Sequence, residues 1–189
     1  MKYFLGFLGV VALVILVFIL VVRGFSSGSK QSKAPVQPQL SSYTNTSTVM
    51  RMTIEGPVVA DANYDEIRVT VGRDANTVEI VNGYQNKVVQ AKTYPNNSDA
   101  YGNFLRAIDL LGYTHGNTTG KLDDERGYCA TGNRYVYEII SGSADVQRYW
   151  IGSCGVGTFL GKSANIRALF RAQIPDYSTL TSKLVIGSQ

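Results

Sequence analysis

The chain has 189 residues and a formal net charge of +4, from 18 Lys and Arg against 14 Asp and Glu. Lys2, Arg23, Lys30 and Lys33 all precede residue 40, where there is no acidic residue, so the rest of the chain is neutral with 14 charges of each sign. A binder of DNA or RNA needs a basic face to displace counterions, and this balance argues against nucleic acid as a partner. Residues 49–189 suffice for one domain of about 100–150 residues but not for two.

Residues 3–22 read YFLGFLGVVALVILVFILVV, twenty residues without a charge. At 1.5 Å rise per residue they span about 30 Å, the thickness of a bilayer's hydrocarbon core. Lys2 and Arg23 bracket the stretch at the two interfaces. A cleaved signal peptide has a shorter apolar region and a small-residue cleavage triplet. Residues 1–23 therefore read as an uncleaved transmembrane anchor that meets the lipid bilayer through residues 3–22. Residues 24–48 are rich in Ser, Gly, Gln, Thr and Pro, bury too little apolar surface to offset their ordering entropy, and read as a flexible tether.

Residues 49–189 follow as an α+β extracytoplasmic domain. Met50, Met52 and Ile54 alternate with Arg51, Thr53 and Glu55, which predicts a half-buried strand. Alternation returns over residues 66–71 and 77–81, and Asn82-Gly83 signals a hairpin whose returning strand is residues 84–91. Asn97 or Ser98 caps a helix in which Tyr101, Phe104, Leu105, Ile108 and Leu111 form one apolar stripe, and Gly112 ends it. After a polar loop come strands over residues 134–140 and 146–151, joined by a turn over residues 141–145. A Gly-rich loop then leads to a second helix that Ser163 caps and Pro175 stops. Helices that follow hairpins imply one antiparallel sheet with two helices on one face.

Cys129 and Cys154 are the only cysteines. One precedes the first late strand and the other follows the second, so a hairpin brings both to its open end within bonding reach. A Cys pair downstream of an anchor reads as a disulfide outside the cytosol. The positive flanks on both sides leave orientation open by the charge rule. The cysteines decide for a cytoplasmic N-terminus, with the domain outside the cell membrane.

No catalytic set emerges. Residues 155–163 resemble a phosphate-binding loop, but Val156 stands where the first Gly of that motif belongs, and the bland reading is a turn leading into a capped helix, with Lys162 at a helix N-terminus able to meet an anion. Cys154 has one His to pair with, His115, and a disulfide consumes its thiol. Asp123, Asp124 and Glu125 lack the alternating acidic pattern of a calcium loop, and one His with no Cys cluster makes a metal site unexpected. No cofactor is implied. Tyr135, Tyr137 and Ile139 share one face of their strand; Arg134 shares the other, and in the next strand Arg148 and Trp150 share a face. Tyr, Trp and Arg are enriched in binding hot spots, which makes Arg134, Arg148, Trp150 and Lys162 the candidate binding residues, with the Arg148/Trp150 face expected to be exposed.

Arg126-Gly127-Tyr128-Cys129, Arg148-Tyr149-Trp150, Ser153-Cys154-Gly155 and Ile166-Arg167-Ala168-Leu169-Phe170 resemble stretches of membrane-anchored proteins from candidate-phylum bacteria such as Saccharibacteria. The resemblance implies an envelope location and carries over no activity and no site residues. The expected function is a non-catalytic envelope domain that binds a partner protein or a cell-envelope polymer. The rivals are a thiol enzyme using Cys154 and a purely structural subunit of a membrane complex.

Overall fold

The computed structural model describes residues 39–117, 124–184 and 186. The expected anchor, most of the tether and Asp123 lie outside these residues. Among the described residues no helix is long and apolar enough to cross a membrane.

The elements run β1 (Val49–Glu55), β2 (Asp65–Val71), β3 (Ala75–Asn82), β4 (Lys87–Pro95), α1 (Ser98–Leu110), β5 (Arg134–Ser141), β6 (Ala144–Gly152), α2 (Ser163–Ala172) and α3 (Tyr177–Thr181). The six strands form one sheet in the order β4-β3-β2-β1-β5-β6, with every neighbouring pair antiparallel. The first four strands form a meander. The chain then crosses through α1 and adds the β5–β6 hairpin to the free side of β1. The fold is α+β, as the hairpin-then-helix pattern predicts, with a third short helix that the sequence did not announce.

Strand parity decides what each face carries. Met50, Met52 and Ile54 pair across the sheet with Val71, Val69 and Ile67 on one side and with Ile139, Tyr137 and Tyr135 on the other. All of these are buried in the core with Tyr101, Phe104, Leu105 and Ile108 of α1 and Ile166 and Phe170 of α2. Phe104 meets Phe170 edge-on with ring centroids 5.1 Å apart, which joins the two helices over the sheet.

α1 is capped as its sequence dictates. The Asn97 side chain accepts from the Ala100 N–H at 2.9 Å. At the other end the Gly112 N–H donates to the Asp109 carbonyl and the Tyr113 N–H to the Ile108 carbonyl, a Schellman closure that requires the left-handed φ of +78° Gly112 adopts. α2 differs from expectation. Its cap is Lys162, without a side-chain cap bond, and Ser163 is its first residue. The Ser163 hydroxyl instead lies 2.7 Å from the Tyr137 hydroxyl and accepts from Arg167.

Two boundaries also move. The Asn82-Gly83 hairpin closes through four residues, since Asn82 pairs with Lys87, and both Gly83 and Asn86 take positive φ. The returning strand therefore starts at Lys87 and runs to Pro95. Residues 39–48, placed in the tether, belong to the folded unit: Leu40 is fully buried in the core, and the Tyr101 hydroxyl donates to the Thr48 carbonyl at 2.8 Å.

The Gly-rich segment before α2 has a packing explanation. Gly157 bridges Ile151 beside β6, and a Cβ there would sit 2.3 Å from the Trp150 carbonyl oxygen. Gly157→Ala should destabilise by about 1–3 kcal/mol, because backbone rather than a flexible side chain must move. A denaturant melt of the variant showing an unchanged midpoint would contradict this.

Candidate functional site

The sheet face away from α1 and α2 carries charge. One cross-strand row reads Gly152, Arg134, Glu55, Glu66 and Val81 from β6 to β3. The next reads Trp150, Val136, Thr53, Arg68 and Glu79, and the third Arg148, Glu138, Arg51, Thr70 and Thr77. Opposite charges thus fall on neighbouring strands, where side chains meet. Arg134 Nε donates to Glu55 at 2.8 Å, Arg148 Nε lies 3.4 Å from Glu138, and Arg68 lies 3.5 Å from Glu79 of β3 while also donating to Glu66 of its own strand at 2.6 Å.

An antiparallel sheet commonly leaves its second face to solvent. Here loops roof one end of it. The Val58 N–H donates to the Ala130 carbonyl at 2.7 Å, and Arg134 donates to the Gly56 and Tyr128 carbonyls. Tyr84, from the β3–β4 loop, donates its hydroxyl to the Val59 carbonyl at 2.8 Å and stacks on Tyr64 with ring centroids 4.3 Å apart. Segment 124–133 brings Glu125, whose Oε1 accepts from Arg148 at 2.7 Å. Between these loops lies a cleft of about 420 Å³, lined among others by Glu55, Tyr64, Glu66, Tyr84, Glu125 and Arg134. A hollow of about 160 Å³ adjoins it, sharing Glu55, Glu66 and Asn86, and reaches Arg68, Glu138 and Arg148.

Burial pushes the carboxyls of Glu55, Glu66 and Glu138 above their ordinary value of 4.5, against the pull of Arg134, Arg68 and Arg148 respectively. Glu125 goes the other way. Burial alone would raise it, but the hydrogen bond from Arg148, a backbone N–H and the Arg148 charge together bring it below 4.5. Its other oxygen, Oε2, is buried without a hydrogen-bond partner. Arg126, which also lines the cleft, holds the exposed Asp124 carboxyl down at about 2.

These directions have a consequence for stability. The folded protein keeps protons on Glu55, Glu66 and Glu138 at pH values where the unfolded chain has released them. Their contribution is fully present below 4.5 and is lost as pH rises through the folded values. We predict a higher melting temperature at pH 5 than at pH 7, with the difference reduced in Glu66→Gln. A melting temperature that falls from pH 7 to pH 5 would contradict the assignment.

The structure brings Arg134 and Arg148 together on the charged face, one lining the cleft and the other the adjoining hollow. Trp150 corrects the expectation of an exposed Arg148/Trp150 face. It is fully buried, with the Tyr128 ring 5.3 Å from its own, because segment 124–133 covers that end of the sheet. Arg134 is buried too, at 4 % exposure, in its pair with Glu55. Lys162 lines neither hollow; it stands exposed at the start of α2, in the helix layer. Glu55, Tyr64 and Tyr84 are not singled out as site residues by the sequence, Glu66 shows no catalytic pairing there, and Glu125 figures only in an acidic run that lacks a calcium-loop pattern. The alternation of β1 and β2 already placed Glu55 and Glu66 opposite the core face, but nothing local showed that loops would cover them.

Cys129 and Cys154 form a disulfide with their Cα atoms 5.8 Å apart, which leaves Cys154 no thiol to pair with His115. Among the described residues no three His, Cys, Asp or Glu side chains come together to hold a metal ion. A further cavity of about 480 Å³ lies by α3, lined by Arg171, Ile174, Tyr177, Thr181 and Leu184 among others; it gathers no comparable set of charges. No protein-family model matches the chain, and no curated protein sequence matches it.

Proposed function

We propose that the chain is a membrane-anchored extracytoplasmic binding domain, without catalysis, that takes a cell-envelope polymer along the charged face of its sheet. The observation that carries this reading is the cleft itself. An aromatic shelf, Tyr84 stacked on Tyr64, stands beside the buried Glu66, Glu125 and Arg134, and the cleft continues into a second polar hollow. An apolar platform with a few oriented polar groups suits a hydroxyl-rich chain, which stacks its rings and hydrogen-bonds its edges. The apolar residues 3–22 supply the anchor, and the disulfide suits an oxidising compartment. The resemblance to envelope proteins of candidate-phylum bacteria agrees with that location.

The test is co-sedimentation of the full chain, in detergent micelles, with insoluble cell-wall polysaccharide. Wild type should pellet with the polymer. Tyr84→Ala should remain soluble and folded yet lose most of the binding, because Tyr84 is 48 % exposed and its ring contributes contact area rather than core. Failure of wild type to pellet, or equal binding by the variant, would overturn the reading.

A further inference from the structure

We infer that the free edge of β4 pairs with the same edge of a second copy of the chain, antiparallel and about a two-fold axis at Ala91. This contact is independent of the polymer-binding reading.

β4 ends the sheet, so among the described residues only β3 pairs with it. Nearly all of its residues are exposed, Val88 and Val89 among them. The hydrogen bonds settle which backbone groups face outward. The Asn96 N–H donates to the Asp74 carbonyl at 3.0 Å, in line with the Ala75–Pro95 register. Opposed residues of an antiparallel pair alternate between bonded and unbonded. Tyr94, Lys92 and Gln90 therefore turn their backbone groups to β3, and Thr93 and Ala91 turn theirs outward. Two further observations agree. The Gly72 N–H donates to the Ala75 carbonyl, so odd-numbered residues of β3 bond β2 and even-numbered ones are left for β4. Pro95, which has no N–H, falls in the outward class and costs β3 no bond.

A bare edge is a template for another strand, and proteins blunt such edges with lysines, prolines and bulges. In β4 these devices leave a gap. The bulge lies at Val89 and Pro95 ends the strand, so residues 90–94 run regularly between them. Lys92 is held by Asp176 of its own chain.

A second copy fits this stretch. With the axis at Ala91, that residue opposes its own copy and Thr93 opposes Val89, so outward groups meet outward groups. Gln90 opposes Lys92, and no like charges meet. Moving the axis to Lys92 sets two ammonium groups opposite each other, which destabilises. Moving it to Gln90 carries Thr93 past the bulge onto Lys87. The contact is isologous, as a closed two-fold dimer requires. Its axis stands perpendicular to the sheet, so both copies turn their charged faces to the same side.

The test is amide hydrogen exchange of the full chain in detergent micelles, at two protein concentrations roughly a hundredfold apart. Gln90 and Lys92 should be protected at both. Exchange at Ala91 and Thr93 should slow by about tenfold or more at the higher concentration, as mass action requires. Ala91→Pro removes the outward donor on the axis and spares the bonds to β3, as Pro95 does. Ala91→Lys, at an exposed position, sets like charges against each other across the axis and keeps the backbone intact. In both variants Thr93 should exchange fast at either concentration, with Gln90 and Lys92 still protected.

Fast exchange at Ala91 and Thr93 at both concentrations would overturn the pairing. Slow exchange at both would overturn it too, by showing that the chain's own residues cover the edge. Concentration-dependent slowing that survives in Ala91→Lys would assign association to another surface.

Discussion

Arg134→Met should destabilise the domain by about 3–5 kcal/mol, the cost of breaking a buried ion pair from one side. Arg134 is 4 % exposed. Its Nε donates to Glu55 at 2.8 Å, and its Nη2 donates to the Gly56 carbonyl at 3.0 Å. Removing the guanidinium leaves a largely buried carboxylate without its partner and a buried carbonyl without its donor. The variant should also show a pH signature. Without Arg134 nothing of comparable strength opposes the burial and the neighbouring Glu66 and Glu125 charges that already raise Glu55. The Glu55 carboxyl then titrates higher still, and the folded variant can shed the unpaired charge by taking up a proton. The deficit relative to wild type should therefore shrink between pH 7 and pH 5 in urea melts. A deficit independent of pH would assign Arg134 a packing role instead. The double variant Arg134→Met/Glu55→Leu should recover most of the loss, because replacing both partners by apolar groups removes the uncompensated charge.

Cys129→Ser/Cys154→Ser should lower stability by roughly 3–4 kcal/mol against the oxidised wild type, from the loop entropy released by a cross-link over a sequence separation of 25. The bond also ties segment 124–133 to the end of β6. That segment carries Tyr128 over Trp150 and Glu125 into the cleft. Opening the bond should expose Trp150, the only tryptophan of the chain, and shift its fluorescence to longer wavelength before the sheet melts. The same treatment should loosen Glu125 and weaken any ligand held there. Equal melts with and without reductant would show that the segment is held without the cross-link.

Much of the fold was legible because burial on a sheet has period two. The alternation of Met50, Met52 and Ile54 against Arg51, Thr53 and Glu55 fixes which side chains face the helices whatever the strand order. The stripe on α1, with Asn97 at its start and Gly112 at its end, is equally local. The ends of β4 were not legible for the same reason in reverse. Nearly all of its residues are exposed, so no alternation marks them, and its start depends on the four-residue loop that Gly83 and Asn86 allow. The tyrosines illustrate both cases. Tyr135 and Tyr137 share the parity of Ile139 and read as core, whereas Tyr84 sits in a hairpin loop and gains its partner Tyr64 only when that loop folds back.

By itself the sequence determined the apolar stretch over residues 3–22, the α+β class, the helix caps around α1 and the pairing of its two cysteines, because each depends on composition, periodicity or neighbours within a hairpin. Tertiary structure alone decided that Trp150 and Arg134 are buried, that Leu40 belongs to the core, and that Glu55, Glu66, Tyr84 and Glu125 meet around one cleft. Those residues come from separate strands and loops. Their burial is set by what crosses over them, and no local pattern in the chain encodes that crossing.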